Sequence, residues 1–187
     1  FLASASGDRT VKLWDVATGE RLDTFSQSLK EVYTVAFSPD GKRVAGAGVD
    51  HRIRVWSISA SGKEGTNPIL YSRFAHQSPI LKLVYSADNS TVISSAEDQT
   101  VKVWQADTMN ELRVLENQPD WPVALALAPD GKALLVGRHD GTIAVYDPAN
   151  GQKIQDLNPT VPPPPVPELL AISTRGSKAG IDHRGFQ

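Results

Sequence analysis

The stretch SAEDQTVKVW, residues 95–104, places an Asp in a turn and a Trp six residues later, at the end of a β-branched run. Three further stretches share this arrangement. They are SASGDRTVKLWD at residues 4–15, GAGVDHRIRVWS at 46–57 and, more loosely, VGRHDGTIAVYD at 136–147. The chain therefore carries one unit in four copies, and each copy combines a turn with the strand that follows it.

Two marks recur in phase along the chain. The turn Asp is at Asp8, Asp50, Asp98 and Asp140, and the closing aromatic residue is at Trp14, Trp56, Trp104 and Tyr146. Both series advance by 42, 48 and 42 residues, and a second turn motif keeps that phase: FSPDGK (37–42), YSADNS (85–90) and LAPDGK (127–132). A period in the low forties with strand-like content predicts a propeller blade of four antiparallel strands.

The motifs VKLWD (11–15) and SPDGK (38–42) resemble those of the WD-repeat β-propellers. The resemblance covers residues 1–157 and implies an all-β partial propeller of about three and three-quarter four-stranded blades. The first blade contains only three predicted strands, because its innermost strand is missing. The expected blades span residues 1–25, 32–74, 80–116 and 123–157.

The number of predicted blades is small for this family, whose rings usually have about seven. A partial ring leaves open sheet faces and unpaired strand edges. We therefore expect a fragment of a larger, bacterial multidomain protein, in which the remaining blades close the ring. The alternative is a chain that closes its ring with a second copy of itself.

The sequence changes character after the last predicted blade. Residues 158–168, NPTVPPPPVPE, contain six prolines and predict a stiff polyproline II linker, or alternatively a docking site for a proline-binding module. Residues 169–187 resemble the start of a truncated immunoglobulin-like domain. Similar linkers join propellers to such domains in large bacterial exported proteins. This resemblance favours an exported, periplasmic or cell-surface location over the cytoplasm.

The family resemblance also implies a structural network inside each blade. In this family a His before the inner strand, a Ser or Thr on the second strand, the turn Asp and the Trp form a hydrogen-bonded chain. The third blade has all four candidates, and we expect it to be the most rigid: His76, Ser94, Asp98 and Trp104. The first blade keeps Ser4, Asp8 and Trp14. The others keep the turn Asp and the aromatic residue, with Ser28 and Gly46, or Gln118 and Val136, at the remaining positions.

Composition narrows the range of functions. The net charge of -2 gives no strong field for binding nucleic acid, and we predict none. The chain has no Cys, which excludes disulfides, thiolate catalysis and Cys-ligated zinc within these 187 residues. No apolar run approaches the ~20 residues that a membrane-spanning helix requires, so we predict no membrane insertion.

Residue types that could support catalysis have simpler structural roles in this pattern. His76 and the neighbouring carboxylates Glu97 and Asp98 fall at blade-network positions, and His139 precedes a turn Asp. Neither His51 nor His183 has a partner at metal-ligand spacing. The sequence also lacks a nucleophile elbow, a phosphate loop and a zinc signature. We therefore predict no enzyme activity and no catalytic, cofactor-binding or metal-binding residues.

Surface recognition remains as the expected function. The turn Asp and the His loop lie at the same end of a blade, so residues near them form one candidate partner-binding face: Val49, Glu97, His139, Lys30, Glu31, Asp120 and Trp121. This chemically mixed set suits a protein or peptide partner. Trp121 is the best single anchor candidate, although packing against a neighbouring blade would explain it equally well.

We therefore expect a non-enzymatic scaffold that binds protein or peptide partners through the propeller face. The alternative is an accessory domain of a large bacterial enzyme or cytochrome-type protein, with the catalytic part outside this chain. A site in the central channel is disfavoured, because the inner strands are nearly devoid of carboxylates and His.

Overall fold

The computed structural model describes residues 1–115 and 117–157, and in these residues all regular structure is β. Fifteen strands form four antiparallel sheets, so the predicted all-β propeller class is confirmed. The predicted Pro-rich linker (158–168) and tail (169–187) lie outside the described residues, as does the last residue of the predicted third blade (116).

The first two sheets differ by one strand. The first blade has three strands, β1 Leu2–Ala5, β2 Val11–Trp14 and β3 Arg21–Phe25. The second blade has four, β4 Val32–Phe37, β5 Arg43–Gly48, β6 Arg52–Ser57 and β7 Ile69–Phe74. The strands of each sheet follow one another in sequence order, so every connection within a blade is a hairpin.

The last two sheets repeat the four-stranded pattern. The third blade contains β8 Ile80–Tyr85, β9 Thr91–Ala96, β10 Val101–Gln105 and β11 Glu111–Val114. The fourth contains β12 Pro122–Leu127, β13 Leu134–Arg138, β14 Ile143–Tyr146 and β15 Lys153–Leu157. The innermost strands β4, β8 and β12 lie side by side, and β1 packs beside β4.

Short hydrogen bonds within the SPDGK motif turn the chain between the first two strands of the second blade. The Ser38 hydroxyl donates to Asp40 Oδ1 (2.6 Å) and accepts from the Arg43 backbone N–H (2.9 Å). Gly41 has a φ of +71°, a conformation in which a side chain would be strained. The same Ser-to-Asp bond recurs in the third blade between Ser86 and Asp88 (2.5 Å).

In the second, third and fourth blades, the closing aromatic residue packs against the preceding blade. Trp56 stacks on Phe25 of the first blade, with ring centroids 4.8 Å apart and an interplanar angle of 15°. Trp104 shares a buried cluster with Val55, and Tyr146 shares one with Val103. Truncating a buried indole to Ala costs about 3–5 kcal/mol. The repeated aromatic residue therefore holds successive blades together.

In each of the three four-stranded blades, the innermost strand has a β-bulge at its second residue. The register with the neighbouring strand shifts across Tyr33, Leu81 and Val123. A bulge inserts an extra residue and redirects its side chain. These three residues are 48 and 42 apart, so the bulge recurs with the repeat.

Candidate functional site

The turns that contain Asp8, Asp50, Asp98 and Asp140 lie at one end of the blades, together with the loops before β4, β8 and β12. We call this end the top face. The opposite end, the bottom face, carries the SPDGK-type turns and the loops before β7, β11 and β15. Each turn Asp accepts the backbone N–H two residues later, from Thr10 (3.0 Å), Arg52 (3.2 Å), Thr100 (3.1 Å) and Thr142 (2.9 Å). The recurring Asp therefore shapes the turn itself.

The third blade joins its four sequence-predicted network residues through hydrogen bonds. Trp104 Nε1–H donates to Ser94 Oγ (2.8 Å), and Ser94 Oγ lies 2.7 Å from His76 Nε2. His76 Nδ1 lies 2.9 Å from Thr100 Oγ1 and 3.2 Å from Asp98 Oδ2. These partners assign the Nδ1–H tautomer, because the Ser94 hydroxyl then donates to Nε2. His76 is fully buried and connects its loop to strand β9 and to the turn between β9 and β10.

The turn carboxylate of the third blade is held in its ionised form. Burial raises the pKa of Asp98, but hydrogen bonds from His76, Thr100 and the Gln77 backbone N–H outweigh burial and lower that pKa well below its usual value. The Gln77 N–H bond to Asp98 Oδ2 is 2.8 Å long. Asp98 therefore fastens the loop before β8 to the turn between β9 and β10.

The second blade builds its network from different residues. Asp50 Oδ2 forms a 2.7 Å ion pair with Arg54 Nη1, and the two side chains are only 7% and 4% exposed. Trp56 Nε1–H donates to Gln27 Oε1 (3.1 Å), whereas Ser28, at the predicted His position, receives only a long bond from Arg54 (3.4 Å). A Cβ on Gly46 would lie 3.0 Å from Val11 Cγ2 and 3.2 Å from the Trp56 ring, so the Ser of the third blade would fit here only if these neighbours shifted.

The fourth blade also uses an arginine. Gln118 Nε2–H donates to the Tyr146 hydroxyl (3.0 Å), and Arg138 Nε–H donates to Gln118 Oε1 (3.0 Å). The Asp140 side chain accepts from the Thr142 hydroxyl (2.7 Å). Pro119 occupies the position of Gln77, and proline has no N–H to donate to the turn Asp. The loop before β12 is thus attached through Gln118 rather than through Asp140.

The first blade keeps two separate parts of the network. Trp14 Nε1–H donates to Ser4 Oγ (2.9 Å), and Lys12 Nζ forms a 2.5 Å ion pair with Asp8. Both parts are partly exposed to solvent.

Backbone hydrogen bonds bring the predicted surface residues together in pairs. In the second, third and fourth blades, the residue before the turn Asp donates its N–H to the carbonyl oxygen of the residue immediately before the inner strand. The pairs are Val49 with Glu31 (3.0 Å), Glu97 with Pro79 (3.0 Å) and His139 with Trp121 (2.9 Å). Lys30 is exposed beside the first pair. The candidate partner-binding residues therefore form one repeated feature of the top face.

Trp121 stands at the surface of the top face. It is 42% exposed, and its ring lies 5.9 Å from the His139 ring. The Asp120 carboxylate lies 3.7 Å from His139 Nδ1. These three side chains form a small aromatic and charged cluster on the fourth blade.

The bulged residues Tyr33, Leu81 and Val123 were not among the sequence-predicted site residues. Tyr33 is 53% and Val123 is 41% exposed, and Leu81 is half-buried. All three are apolar or aromatic and occupy the same position on adjacent inner strands at the top face. Their spacing in phase with the repeat was a usable signal, but strand alternation alone does not predict a bulge.

Within residues 1–115 and 117–157, the His, Asp and Glu side chains form no group of three or more that could hold a metal ion. No helix with the length and apolarity needed to cross a bilayer occurs in the same residues.

Comparison with known proteins identifies the family. The model of the WD domain, G-beta repeat, matches residues 1–15, 19–57, 68–105 and 109–147. The match at 19–57 begins before β3 and ends with β6, so one sequence repeat contributes strands to two adjacent sheets. Because of this offset, one repeat supplies the outer strand of one blade and the three inner strands of the next, which links adjacent blades.

Several curated relatives are similar to most of this chain. The chicken (Gallus gallus) "Serine-threonine kinase receptor-associated protein" is 29% identical over 155 residues, which are 83% of this chain and 42% of the relative. "Nuclear distribution protein PAC1" of Arthroderma otae is 30% identical over 79% of this chain and 35% of its own length. "Target of rapamycin complex subunit wat1" of Schizosaccharomyces pombe is 27% identical over 86% of this chain and 50% of its own length.

The chain spans half or less of the length of these three relatives. The names of two of them describe a receptor-associated protein and a complex subunit. They do not favour the alternative of an accessory domain in a bacterial enzyme or cytochrome-type protein. WD-repeat domains generally serve as scaffolds for protein interaction. With its family model matched over most of the sequence and its four propeller sheets, this chain belongs to the WD40 repeat family.

Proposed function

We propose that this chain is a non-enzymatic module that binds a protein or peptide partner on the top face. The observation that carries the proposal is the repeated bulge of the inner strands. It presents Tyr33, Leu81 and Val123 at the inner margin of the top face, with Trp121 two residues before the last of them. An apolar centre of this kind supplies most of the binding energy in protein interfaces.

The surroundings of this apolar margin support a protein partner. Lys30 and Glu31 precede Tyr33 by three and two residues, while Asp120 and His139 lie next to Trp121. A mixed polar rim around an apolar centre is typical of protein interfaces, whereas nucleic acid requires a continuous basic surface. An exported or cell-surface location remains a prediction from the Pro-rich linker.

Selection of peptides from a random phage-displayed library against the whole chain tests this proposal. We expect the Tyr33→Ala/Trp121→Ala variant to weaken the selected peptides by about tenfold or more, because it removes the central contacts. Leu112→Ala is the matched control, since Leu112 is similarly exposed but lies on the outer strand β11. Selected peptides that bind the double variant as tightly as they bind the original chain contradict the proposal.

A further inference from the structure

A cavity of about 310 Å³ opens on the bottom face between the third and fourth blades. The turn between β8 and β9 forms one wall, and the turn between β12 and β13 forms the opposite wall. Pro148 and Ala149, in the loop before β15, complete the lining. This cavity lies at the opposite end of the blades from the proposed top-face site, so the two sites are independent.

The corresponding gap between the second and third blades contains an arginine side chain. Arg43, the first residue of β5, donates from Nη1 to the Ala106 carbonyl oxygen (3.1 Å). Its Nη2 forms a 2.6 Å ion pair with Asp107. The Asn89 side chain also bridges this gap, because its Oδ1 accepts the Asp40 backbone N–H (3.0 Å). The guanidinium and the amide together close the space between these two blades.

One repeat further along the chain, shorter side chains replace all three bridging groups. The register of the repeat places Thr91 at the position of Arg43, Gly131 at that of Asn89, and Ala149 at that of Asp107. All three of these shorter residues line the cavity. The cavity therefore occupies the space that a guanidinium and its partners fill between the preceding blades.

Two carboxylates of the gap are retained, although the cation and its ion-pair partner Asp107 are replaced. Asp88 corresponds to Asp40, and Asp130 corresponds to Asp88 one repeat later. Hydrogen bonds from Ser86 and Ser90 lower the pKa of Asp88 to about 2, so this group is ionised at neutral pH. The residues that line the cavity include these two Asp and no Lys or Arg.

We propose that this cavity binds the guanidinium group of an exposed arginine on a protein partner, in the manner in which Arg43 fills the preceding gap. The planar guanidinium donates hydrogen bonds to carboxylates and hydroxyls at once, which suits a lining of Asp88, Asp130 and Ser90. Leu127 and Pro129 on the same lining pack against the aliphatic part of the arginine side chain. Arg113 approaches from the outer strand and donates to the Pro148 carbonyl (2.5 Å), but it is not part of the lining.

Titration of the isotopically labelled whole chain with the peptide acetyl-Gly-Arg-Gly-amide, followed by amide chemical shifts, tests the site. We expect saturable shifts confined to the two turns and the loop that line the cavity. Acetyl-Gly-Gln-Gly-amide should bind about tenfold more weakly or worse, because it lacks the charge that pairs with the carboxylates. Equal affinity for the two peptides, or shifts centred elsewhere, overturns the proposal.

Two matched variants exploit the internal repeat. Thr91→Arg/Ala149→Asp transplants the Arg43–Asp107 pair into the cavity and should abolish binding of the arginine peptide. Arg43→Thr empties the gap between the second and third blades and should create a second set of shifts, in the turn between β4 and β5. Asp130→Asn, at an exposed turn, should weaken binding by about fivefold or more without refilling the cavity. Unchanged binding by a folded Thr91→Arg/Ala149→Asp variant, or by Asp130→Asn, contradicts the assignment.

Discussion

The second and third blades carry a turn Asp and a closing Trp at equivalent positions. The two blades nevertheless use different residues to pair with the Asp carboxylate and the Trp indole N–H. In the third blade, Asp98 and Trp104 belong to one chain that runs through His76 and Ser94. In the second blade they are separated: Asp50 pairs with Arg54, and Trp56 bonds to Gln27. The comparison teaches that the positions of the polar groups are constant in the blade, whereas the residues that satisfy them are exchangeable.

Gly46 provides the physical reason for this exchange. Its position carries the connecting Ser in the third blade, but a side chain at Gly46 would be crowded by Val11 and Trp56. Without that hydroxyl, the indole N–H and the turn carboxylate each require a partner of their own, since buried polar groups left unpaired are costly. The third blade was expected to be the most rigid, because it alone has all four residues of the His-based chain. In the second and fourth blades, Arg54 and Arg138 supply different networks.

The largest effect should come from breaking the buried ion pair of the second blade. Arg54→Met leaves the Asp50 carboxylate buried without its cation, and we expect a loss of about 3–5 kcal/mol in the free energy of unfolding. Urea-induced unfolding at neutral pH measures this loss. Arg21→Met, on the exposed start of β3, is the control and should cost about 0.5 kcal/mol or less. Equal losses in the two variants mean that the ion pair does not support the blade.

Removing the central residue of the third blade should have the next largest effect. His76→Ala deletes a fully buried ring and leaves Ser94 and Asp98 without one partner each. We expect a loss of about 2–3 kcal/mol in the free energy of unfolding. His139→Ala removes a histidine whose side chain is 69% exposed and should change stability by about 0.5 kcal/mol or less. A His76→Ala variant as stable as this control rules out the network as a source of stability.

A smaller effect is expected from the fourth blade. Tyr146→Phe retains the buried ring and deletes the hydroxyl that contacts Gln118. The loss in the free energy of unfolding should be about 1 kcal/mol, the usual contribution of one buried hydrogen bond. Tyr33→Phe removes an exposed hydroxyl and is the matched control. If both substitutions leave stability unchanged, Gln118 and Arg138 form a sufficient network by themselves.

The smallest difference should appear in the dependence of stability on pH. The folded-state pKa of Asp98 is lowered, so this group binds fewer protons in the folded chain than in the unfolded chain. Its contribution is complete above the unfolded-state pKa of about 4 and declines as the pH falls below that value. Thermal unfolding measured from neutral to acidic pH should therefore show a shallower acid decline in Asp98→Asn than in the original chain. Parallel profiles would place the acid-sensitive carboxylates elsewhere, with Asp8 and Asp88 as the next candidates.

Much of the fold was predictable because it depends on local repetition. The phase of Asp98 and Trp104 predicted the blades, and the SPDGK motif predicted the turns, since both patterns follow from strand alternation and turn conformation. Arg54 and Gln27 were not predicted. Their roles depend on which side chains contact one another across strands and loops. The repeated motif does not predict those contacts.

The residues of the candidate interaction face also fall into a predicted and an unpredicted group. Trp121 and His139 were predicted to lie at the top face from their positions beside an inner strand and a turn Asp. Tyr33 and Leu81 were not, because a bulge that redirects a side chain is a property of the register between two paired strands.

By itself, the sequence determined the repeat, the all-β blades and the position of the closing aromatic residue, because these features require only a periodic pattern within one chain segment. The tertiary structure alone decided which groups pair with each turn Asp and which gap between blades is filled by a side chain. Arg43 closes one gap and Thr91 leaves the next one open, although both begin the second strand of a blade. The outcome depends on whether a side chain spans the distance to the adjacent blade, and that distance exists only after the sheets have packed against one another.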